Sequence, residues 1–294
     1  MKKMIAVLLC LVLALGCASA FAADLVIYSA RNERLNNIVI PGFEAATGLT
    51  VEMITGSTGE VNQRIKAEVE SGNVTVDIHW AADETMLSAN RDLCQVYVSK
   101  ENDAMMPLFQ NDGTNVFSPA FAEPNVMIVN TEKLEEIGVT VEGYADLLNP
   151  ALKGKIISAD PANSSSAFQC LIGMLYGMGN GDPMSQEAWD FIDQFLVNLD
   201  GKVASSSSQV YNGVANGEYY VGLSYEDPCV ELEAAGEMPV KVVYAKEGTI
   251  FPGQSVQIVK DAPHLEAAQK FVDYVLSEEV QTAVAAELNL RPLR

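Results

Sequence analysis

Apolar runs and amphipathic stretches alternate along the chain from residue 24 onward. Leu25 to Tyr28 is almost continuously apolar, which is typical of a strand buried on both faces. Apolar residues then recur at helical spacing until Gly48, and Thr50 to Ile54 follows as a second strand. The residues of this helical stripe are Leu35, Ile38, Val39 and Phe43. The pattern predicts a strand, a helix and a second strand in succession.

The next segment repeats this order. A second amphipathic helix is predicted to end at Gly72, and Val76 to Trp80 predicts a third strand. The apolar stripe of this helix consists of Val61, Ile65 and Val69. Strands that alternate with helices in this way favour a mainly parallel sheet. The N-terminal part of the chain therefore predicts an α/β fold.

The rest of the chain predicts a second lobe and a return to the first. An irregular stretch from Glu101 to Glu123 is predicted to cross between the lobes. The later predicted elements are strands at Val126 to Val129, Lys155 to Ala159, near Val221, near Val240 and at Val256 to Val259, and helices at Ser165 to Tyr176, around Trp189 to Leu199, at His264 to Leu276 and at Glu278 to Leu288. We assign residues 23–118 and 252–294 to a discontinuous N-terminal lobe and residues 119–251 to a C-terminal lobe.

The N-terminus has the order of a cleaved secretory signal. Two lysines precede an apolar stretch from Met4 to Leu15, and small residues follow up to Ala22. The stretch is too short to favour a retained membrane helix. Cys17 leaves lipoprotein anchoring open, but Leu15 stands one place too close to it for a good lipobox. We predict a signal peptide over residues 1–22 and a periplasmic or otherwise extracytoplasmic protein.

Charge and cysteine content narrow the range of partners. The chain carries 39 acidic and 18 basic residues, for a formal net charge of -21 at pH 7. Binding to nucleic acid or to an anionic membrane requires clustered Lys and Arg, which this chain lacks.

Beyond the leader, the chain has an odd number of thiols, Cys94, Cys170 and Cys229, so at most one disulfide can form between two of them. No cofactor is expected, and the protein is predicted to be a monomer.

Loops at the carboxyl ends of the predicted strands hold the candidate ligand-binding residues. Ligands of open α/β sheets bind there, where helix N-termini present free NH groups, and hydroxyls beside those groups favour an anion. The candidates are Ser29, Arg31, Asn32, Ser57, Thr58, Gly59 and Asp83 in the N-terminal lobe, and Ser164, Ser165, Ser166, Ala167, Ser207, Tyr225 and Asp227 in the C-terminal lobe. The alternative is that the serines only cap helices, which is the favoured interpretation for Ser205 to Ser208 taken alone.

Common catalytic signatures are missing from the sequence. Gly56 to Glu60 is similar to a phosphate-binding loop, but no Gly-Lys-Ser or Gly-Lys-Thr follows it. The chain lacks a G-x-S-x-G elbow, and its two histidines are His79 in a predicted strand and His264 at a predicted helix start. Neither a nucleotide hydrolase nor a Ser-His-Asp hydrolase is expected.

Several segments resemble the ferric-ion-type solute-binding proteins of ABC importers. They are Leu25 to Ser29, Phe43 to Val51, Val76 to Trp80, Asp146 to Ile156, Ala215 to Glu218 and Ala267 to Phe271. The resemblance implies a type II periplasmic-binding-protein fold, with two lobes that close over a ligand in a central cleft. It also implies delivery of a small-molecule ligand to an ABC permease with its cytoplasmic ATPase. The chain stops at Arg294, where members of that family continue into another helical segment.

The resemblance also bears on the ligand, because members of the family bind ferric ion, thiamine, hexose phosphates or phosphonates. The iron binders use a histidine, an acidic residue and two adjacent tyrosines. Here Asn32 stands in place of the histidine, and Asp227, or at best Tyr225 with Glu226, in place of the tyrosines. The anion loop is retained at Ser164 to Phe168. We therefore expect a phosphorylated or phosphonate compound, or another compact oxyanion, and no metal. If iron is bound after all, the expected ligands are Asp83, Tyr225, Glu226 and Asp227.

Two other functions stay open alongside a non-enzymatic transport protein. A catalytic descendant of the fold would use Cys170 or Cys94 as its nucleophile, although no histidine lies near either cysteine in the sequence. A sensor subunit would bind the same ligand for signalling.

Overall fold

The structure, a computed structural model, describes residues 23–81, 90–288 and 290–294. The predicted signal peptide and the candidate residue Asp83 lie outside this part of the chain. Within it, no helix combines the length and the apolar character that crossing a membrane requires. The described residues form two lobes, and each lobe is built on one β-sheet with helices packed against it.

The first lobe combines strands from both ends of the chain. Its strands are β1 Leu25–Ser29, β2 Val51–Thr55, β3 Ile78–Trp80, β4 Cys94–Gln95, β5 Ser118–Ala122, β11 Gly253–Val259 and β12 Arg291–Pro292, and its helices are α1 Glu33–Thr47, α2 Thr58–Ser71, α8 Leu265–Val275 and α9 Glu278–Leu288. The strand order is β12-β5-β11-β3-β1-β2, with β4 paired to β11.

The second lobe uses the middle of the chain. Its strands are β6 Asn125–Asn130, β7 Ile156–Ala159, β8 Val203–Ala204, β9 Val221–Tyr225 and β10 Val240–Val243, in the order β10-β6-β9-β7-β8. Its helices are α3 Thr131–Glu136, α4 Ser165–Met178, α5 Gln186–Leu199, α6 Ser207–Ala215 and α7 Glu226–Ala235. Short 3-10 turns at Arg91–Leu93, Asn102–Ala104, Pro107–Phe109, Tyr144–Leu148 and Pro150–Leu152 complete the described elements.

The two-lobed α/β architecture agrees with the prediction, but both sheets are mixed rather than mainly parallel. β1 pairs in parallel with β2 and β3, and β7 pairs in parallel with β8 and β9, as expected of βα units. However, β11 is antiparallel to β3, β4 and β5, and β6 is antiparallel to β9 and β10. The reason is that the chain enters β6 and β11 directly from the other lobe. A helical crossover, which would make these pairs parallel, is therefore absent from both connections.

Local signals in the sequence set the ends of the first two helices. The side chain of Asn32 accepts a hydrogen bond from Leu35 N at the start of α1. α1 and α2 end at Gly48 and Gly72, whose φ angles of 72° and 70° are left-handed. Glycine adopts this conformation without the steric cost that a Cβ imposes, so both helices end where the sequence predicts.

Aromatic side chains fill the core of the first lobe. The ring of Phe271 on α8 meets the rings of Phe43 and Trp80 edge to face, with centroids 5.2 and 5.4 Å apart. All three side chains are buried. This packing fixes α1 and α8 against the first sheet, and thereby fixes the N-terminus of α1 at the cleft.

Candidate functional site

A cavity of about 680 Å³ lies between the two lobes and is lined by residues of both. Its walls include the loops that follow β1, β2, β7 and β8, at the carboxyl ends of those strands. These are the loops for which the sequence predicts ligand binding. The N-termini of four helices, α1, α2, α4 and α6, therefore meet around one cavity.

The two helix N-termini of the first lobe are satisfied by their own side chains. Asn32 Oδ1 accepts from Leu35 N at 2.8 Å. At α2, Ser57 and Glu60 form a capping box in which Glu60 Oε2 accepts from Ser57 N at 2.8 Å and Ser57 Oγ accepts from Glu60 N at 3.3 Å. Because carboxylates already stand in the first turns of both helices, these N-termini leave little positive potential for an added anion.

The two helix N-termini of the second lobe carry no acidic residue in their first turns. Ser164 Oγ accepts from Ala167 N at 3.4 Å, whereas Ser206, the N-cap of α6, makes no side-chain cap hydrogen bond. The hydroxyl oxygens of Ser164, Ser166 and Ser207 lie 2.6 to 3.2 Å from one another and are called the serine cluster below. The interpretation of the 205–208 run as simple caps is therefore wrong for Ser206.

Arg31 is held at the cavity wall near the connection between the lobes. Its Nη1 donates to Gln254 Oε1 and lies 4.0 Å from Glu123 Oε2. The side chains of Arg31 and Glu123 are only 8% and 14% exposed, so their charges are poorly screened by solvent. The guanidinium is therefore fixed in direction before any ligand arrives.

Two tyrosines complete the second-lobe wall of the cavity. The rings of Tyr211 and Tyr225 meet edge to face with centroids 6.3 Å apart. Burial raises the pKa of the Tyr211 hydroxyl and raises the pKa of the Tyr225 hydroxyl well above its ordinary value. Both hydroxyls are therefore protonated at neutral pH and can donate hydrogen bonds.

Nine of the candidates named from the sequence line the cavity. They are Arg31, Asn32, Ser57, Thr58, Ser164, Ser165, Ser166, Ser207 and Tyr225. Four other described candidates, Ser29, Gly59, Ala167 and Asp227, do not line it.

Three of these four sit just behind the cavity wall. Ser29 is fully buried, and its Oγ accepts from Arg31 N at 3.0 Å. Ala167 is 1% exposed. Gly59 N donates to Asn163 O of the second lobe at 3.2 Å, and a Cβ at this glycine would stand 2.6 Å from Asn163 Oδ1. Gly59 therefore allows the close approach of the two lobes.

The acidic residues considered as iron ligands at the start of α7 are engaged by the first lobe instead. Glu226 accepts from Arg291 Nε at 2.8 Å and from Nη2 at 2.6 Å. Asp227 Oδ2 accepts from Asn32 Nδ2 at 2.8 Å, and Arg34 lies 3.7 Å from Oδ1. Burial raises the pKa of Asp227 to about 6. Both carboxylates act in contacts between the lobes, and neither residue lines the cavity.

Sequence reasoning missed several lining residues, among them Glu33, Glu60, Glu123, Asn125, Asn163, Gln169, Tyr211 and Gln254. Glu123 and Asn125 flank the passage of the chain between the lobes, so the predicted crossing was a usable signal for them. Gln254 reaches Arg31 from 223 positions away, and no local pattern marks such a pair.

The three cysteines of the described chain are buried and unpaired. Burial raises the pKa of Cys94 and of Cys170 to about 12, and raises the pKa of Cys229 further. Among the described residues, which leave out Asp83, no three His, Cys, Asp or Glu side chains form a group that could hold a metal ion.

Comparison with known proteins gives relatives over most of the chain. An uncharacterized protein of Haemophilus influenzae is 26% identical over 278 residues, covering 92% of this chain and 78% of the relative. Iron uptake protein A1 of Synechocystis sp. is 25% identical over 280 residues, covering 89% and 73%. Among solved structures, the periplasmic binding protein AfuA of Actinobacillus pleuropneumoniae, with exogenous fructose-6-phosphate bound, superposes with a TM-score of 0.82 at 25% identity, covering 92% of this chain and 84% of that one.

The family model of the bacterial extracellular solute-binding proteins matches residues 39–294. This range contains the whole second lobe and the first lobe from within α1 onward, and it omits β1 and the lining residues of the loop after it, among them Arg31 and Asn32. The similarity to a periplasmic binding protein in fold agrees with the resemblance to importer proteins seen in the sequence. The chain therefore belongs to the bacterial extracellular solute-binding proteins, in the branch that serves ABC importers.

Proposed function

We propose that this protein binds a small anionic solute, namely a phosphorylated or phosphonate organic compound or a compact oxyanion, and delivers it to an ABC permease. The observation that carries the proposal is the serine cluster at the N-termini of α4 and α6, inside the cavity between the lobes. Hydroxyl donors and helix NH groups that converge on one point suit an oxyanion.

The strong negative charge of the whole chain is compatible with this ligand. At 0.1 M salt the Debye length is about 10 Å, so most distant carboxylates are screened. Donors within hydrogen-bond distance of the ligand act at nearly full strength. The side chains at the anion end are serines, and none of them carries a charge that would repel the ligand.

Binding is proposed to act through closure of the two lobes over the ligand. The Gly59–Asn163 hydrogen bond and the contacts of Asn32 with Asp227 and of Arg291 with Glu226 form between lobes. A ligand that moves the open and closed states from 1:99 to 99:1 must favour the closed state by about 5.5 kcal/mol. A few charge-assisted hydrogen bonds supply that amount.

The cellular setting belongs to the same proposal. We place the protein outside the cytoplasmic membrane, exported by a cleaved signal peptide, as a monomer that meets a permease with a cytoplasmic ATPase. The boundary that the sequence predicted after residue 118 is moved to residue 122, because β5 Ser118–Ala122 pairs within the first sheet. The proposed lobes are therefore residues 23–122 with 252–294, and residues 125–251. Since β5 belongs to the first sheet and β6 to the second, the pivot is set at Glu123 and Pro124.

Ferric ion is the alternative cargo, supported by the similarity to iron uptake protein A1. The site favours it less, because Arg291 holds Glu226 and Asn32 holds Asp227. Tyr225 would have to lose a proton whose pKa burial holds well above its ordinary value. Ferric ion needs several anionic oxygen ligands, and the described residues offer them only at the cost of these contacts.

A catalytic role through a cysteine is not favoured by the geometry. The thiolate is the nucleophile, and burial raises the pKa of Cys94 and of Cys170 to about 12. Neither residue lines the cavity. A sensor role would use the same ligand site, and neighbouring permease and ATPase genes would distinguish transport from signalling.

The test is a thermal-shift and calorimetry panel of inorganic phosphate, sugar phosphates and alkylphosphonates. A ligand at 100 times its dissociation constant adds about 2.7 kcal/mol of stability, which is readily measured. Ser166→Ala with Ser207→Ala is expected to weaken the best ligand at least tenfold and to leave the empty protein nearly as stable as before.

Ser185→Ala is the matched control, because Ser185 caps α5 away from the cavity by accepting from Ala188 N at 3.3 Å. It should cost about 1 kcal/mol of stability and leave binding unchanged. The proposal fails if no oxyanion stabilises the protein, or if the serine double variant binds as tightly as the parent.

A further inference from the structure

We infer that the ligand is a zwitterion, with its oxyanion on the serine cluster of the second lobe and an ammonium group facing the first lobe. This inference rests on the proposed function, because it takes the serine cluster as the anion site. It adds the chemical class of the other end of the ligand and the direction in which the ligand lies.

The distribution of charge around the cavity carries the inference. Among the described residues, which leave out 82–89, four charged side chains line it: Arg31, Glu33, Glu60 and Glu123. All four belong to the first lobe or to the passage between the lobes. From Asn163 to Tyr225 the second lobe lines it with uncharged side chains alone. These three carboxylates and one guanidinium give the first-lobe wall of the cavity a net negative charge. The second-lobe wall presents hydroxyl groups and two helix N-termini instead.

The single guanidinium does not cancel this asymmetry. Arg31 donates to Gln254 and lies 4.0 Å from Glu123, so its charge is already directed at a carboxylate. Glu33 stands exposed at the cavity wall in the first turn of α1. A purely anionic ligand that filled the cavity would have to bring negative charge against Glu33 and Glu60. A cation there gains from both carboxylates.

Asn125 provides an independent observation in favour of a donor on the ligand. Its side chain lines the cavity and the residue is only 3% exposed. Its Nδ2 donates to Ser166 O at 3.2 Å and contacts Cys170 Sγ at 3.5 Å, so the amide is oriented by the protein. Oδ1 is buried without a hydrogen-bond partner. A buried acceptor left unpaired costs free energy, and a ligand N–H or O–H would remove that cost. Because Asn125 bonds to Ser166, this donor lies near the serine cluster, and the position of the ammonium rests on the carboxylates of the first lobe.

The experiment compares three compounds that differ only at one end: aminopropylphosphonate, hydroxypropylphosphonate and propylphosphonate. Titration calorimetry at pH 7 is expected to rank the amine first, about tenfold tighter than the alcohol, because hydrogen bonds to charged groups are stronger than neutral ones. The butyl series tests whether chain length rather than charge sets the order.

The matched variants are Glu33→Gln and Glu187→Gln, which each remove an acidic residue from the first turn of a helix, α1 and α5 respectively, the latter outside the cavity. Glu33→Gln should weaken the amine several-fold and leave the alcohol unchanged, whereas Glu187→Gln should change neither. The inference is overturned if the alcohol or the alkyl compound binds as tightly as the amine. If none of the three compounds binds, the proposed function itself fails for phosphonates. This outcome differs from equal binding of the three, which overturns only the zwitterion inference.

Discussion

At the scale of single residues, the ability of the cleft to bind a ligand depends on which of its polar groups already have hydrogen-bond partners within the protein. The capping box uses one oxygen of Glu60 on the backbone of Ser57. The hydroxyls of the serine cluster bond to one another, and Ser164 Oγ also accepts from Ala167 N. Hydroxyl–hydroxyl bonds can be rearranged by rotation about the C–O bond, so these groups can turn to donate to a ligand. Ser and Thr residues that precede helices look alike in the sequence. They nevertheless differ in whether their hydroxyl groups can bind a ligand.

Asp227 gives a prediction about pH. Its pKa is raised from an ordinary 3.8 to about 6, mainly by burial, and Glu231 and Glu226 raise it further while Arg34 and Asn32 lower it. Because the folded-state pKa lies above the ordinary value, the stability linked to this group is fully present below about pH 4 and is lost as the pH rises through about 6.

Asp227→Asn keeps the acceptor for Asn32 Nδ2 and removes the charge. Each pKa unit is worth about 1.4 kcal/mol, so the variant should gain about 3 kcal/mol over the parent at pH 7.5 and almost nothing at pH 4. Urea unfolding at the two pH values measures the difference. Asp193→Asn, at an exposed position of α5, is the control. A gain independent of pH would contradict the assignment.

At the scale of elements, the sequence predicted features that depend on neighbouring residues, and it did not predict features that depend on distant strands. The ends of α1 and α2 were predictable because Asn32, Gly48 and Gly72 act within one turn of their own helix. The antiparallel direction of β11 was not, since it depends on strands more than a hundred residues away. The contacts of Arg291 with Glu226 and of Asn32 with Asp227 were hidden for the same reason: they exist only when two lobes approach each other.

The end of α2 gives a prediction about stability. Gly72 has a φ of 70° and no atom within 4 Å of the place a Cβ would take, so substitution costs only backbone strain. Gly72→Ala should destabilise the protein by about 1 to 2 kcal/mol, the cost of a left-handed conformation for a residue with a Cβ. Gly72→Asn should cost less, because asparagine tolerates this conformation.

Thermal unfolding with a matched ligand titration separates the two effects. Both glycine variants should bind ligand as the parent does, because Gly72 does not line the cavity. Equal losses for alanine and asparagine would show that something other than backbone conformation is involved.

At the scale of the whole molecule, α7 joins the two lobes through ion pairs. Arg34 of α1 contacts Glu231, and Arg291 of β12 pairs with Glu226, so two arginines of the first lobe hold one helix of the second. Both side chains of the Arg34–Glu231 pair are exposed, and pairs of this kind contribute about 0.2 to 1 kcal/mol. The Arg291–Glu226 pair has two hydrogen bonds and a carboxylate that is only 9% exposed, so it is screened less by solvent. If ligand binding closes the lobes as proposed, these ion pairs stabilise the closed arrangement, and the ligand supplies the rest of the free energy of closure.

Arg34→Ala with Arg291→Ala should therefore reduce the closed-to-open ratio of the empty protein several-fold. Small-angle X-ray scattering should record a larger radius of gyration, and 1 M salt should bring the parent toward the same value. Lys66→Ala with Lys133→Ala removes two ion pairs that each lie within one helix and should change neither. Unchanged scattering in the arginine variant would show that these pairs do not influence closure.

The buried thiols have a practical consequence for following this motion. Cys94, Cys170 and Cys229 are shielded and largely protonated at neutral pH, so maleimide dyes should react with them only when the chain unfolds. Fluorophores can then be attached at one engineered surface cysteine on each lobe while all native cysteines remain in place. The rate at which the three native thiols are labelled would then measure global unfolding. The fluorophore signal would measure any opening of the cleft in the same sample.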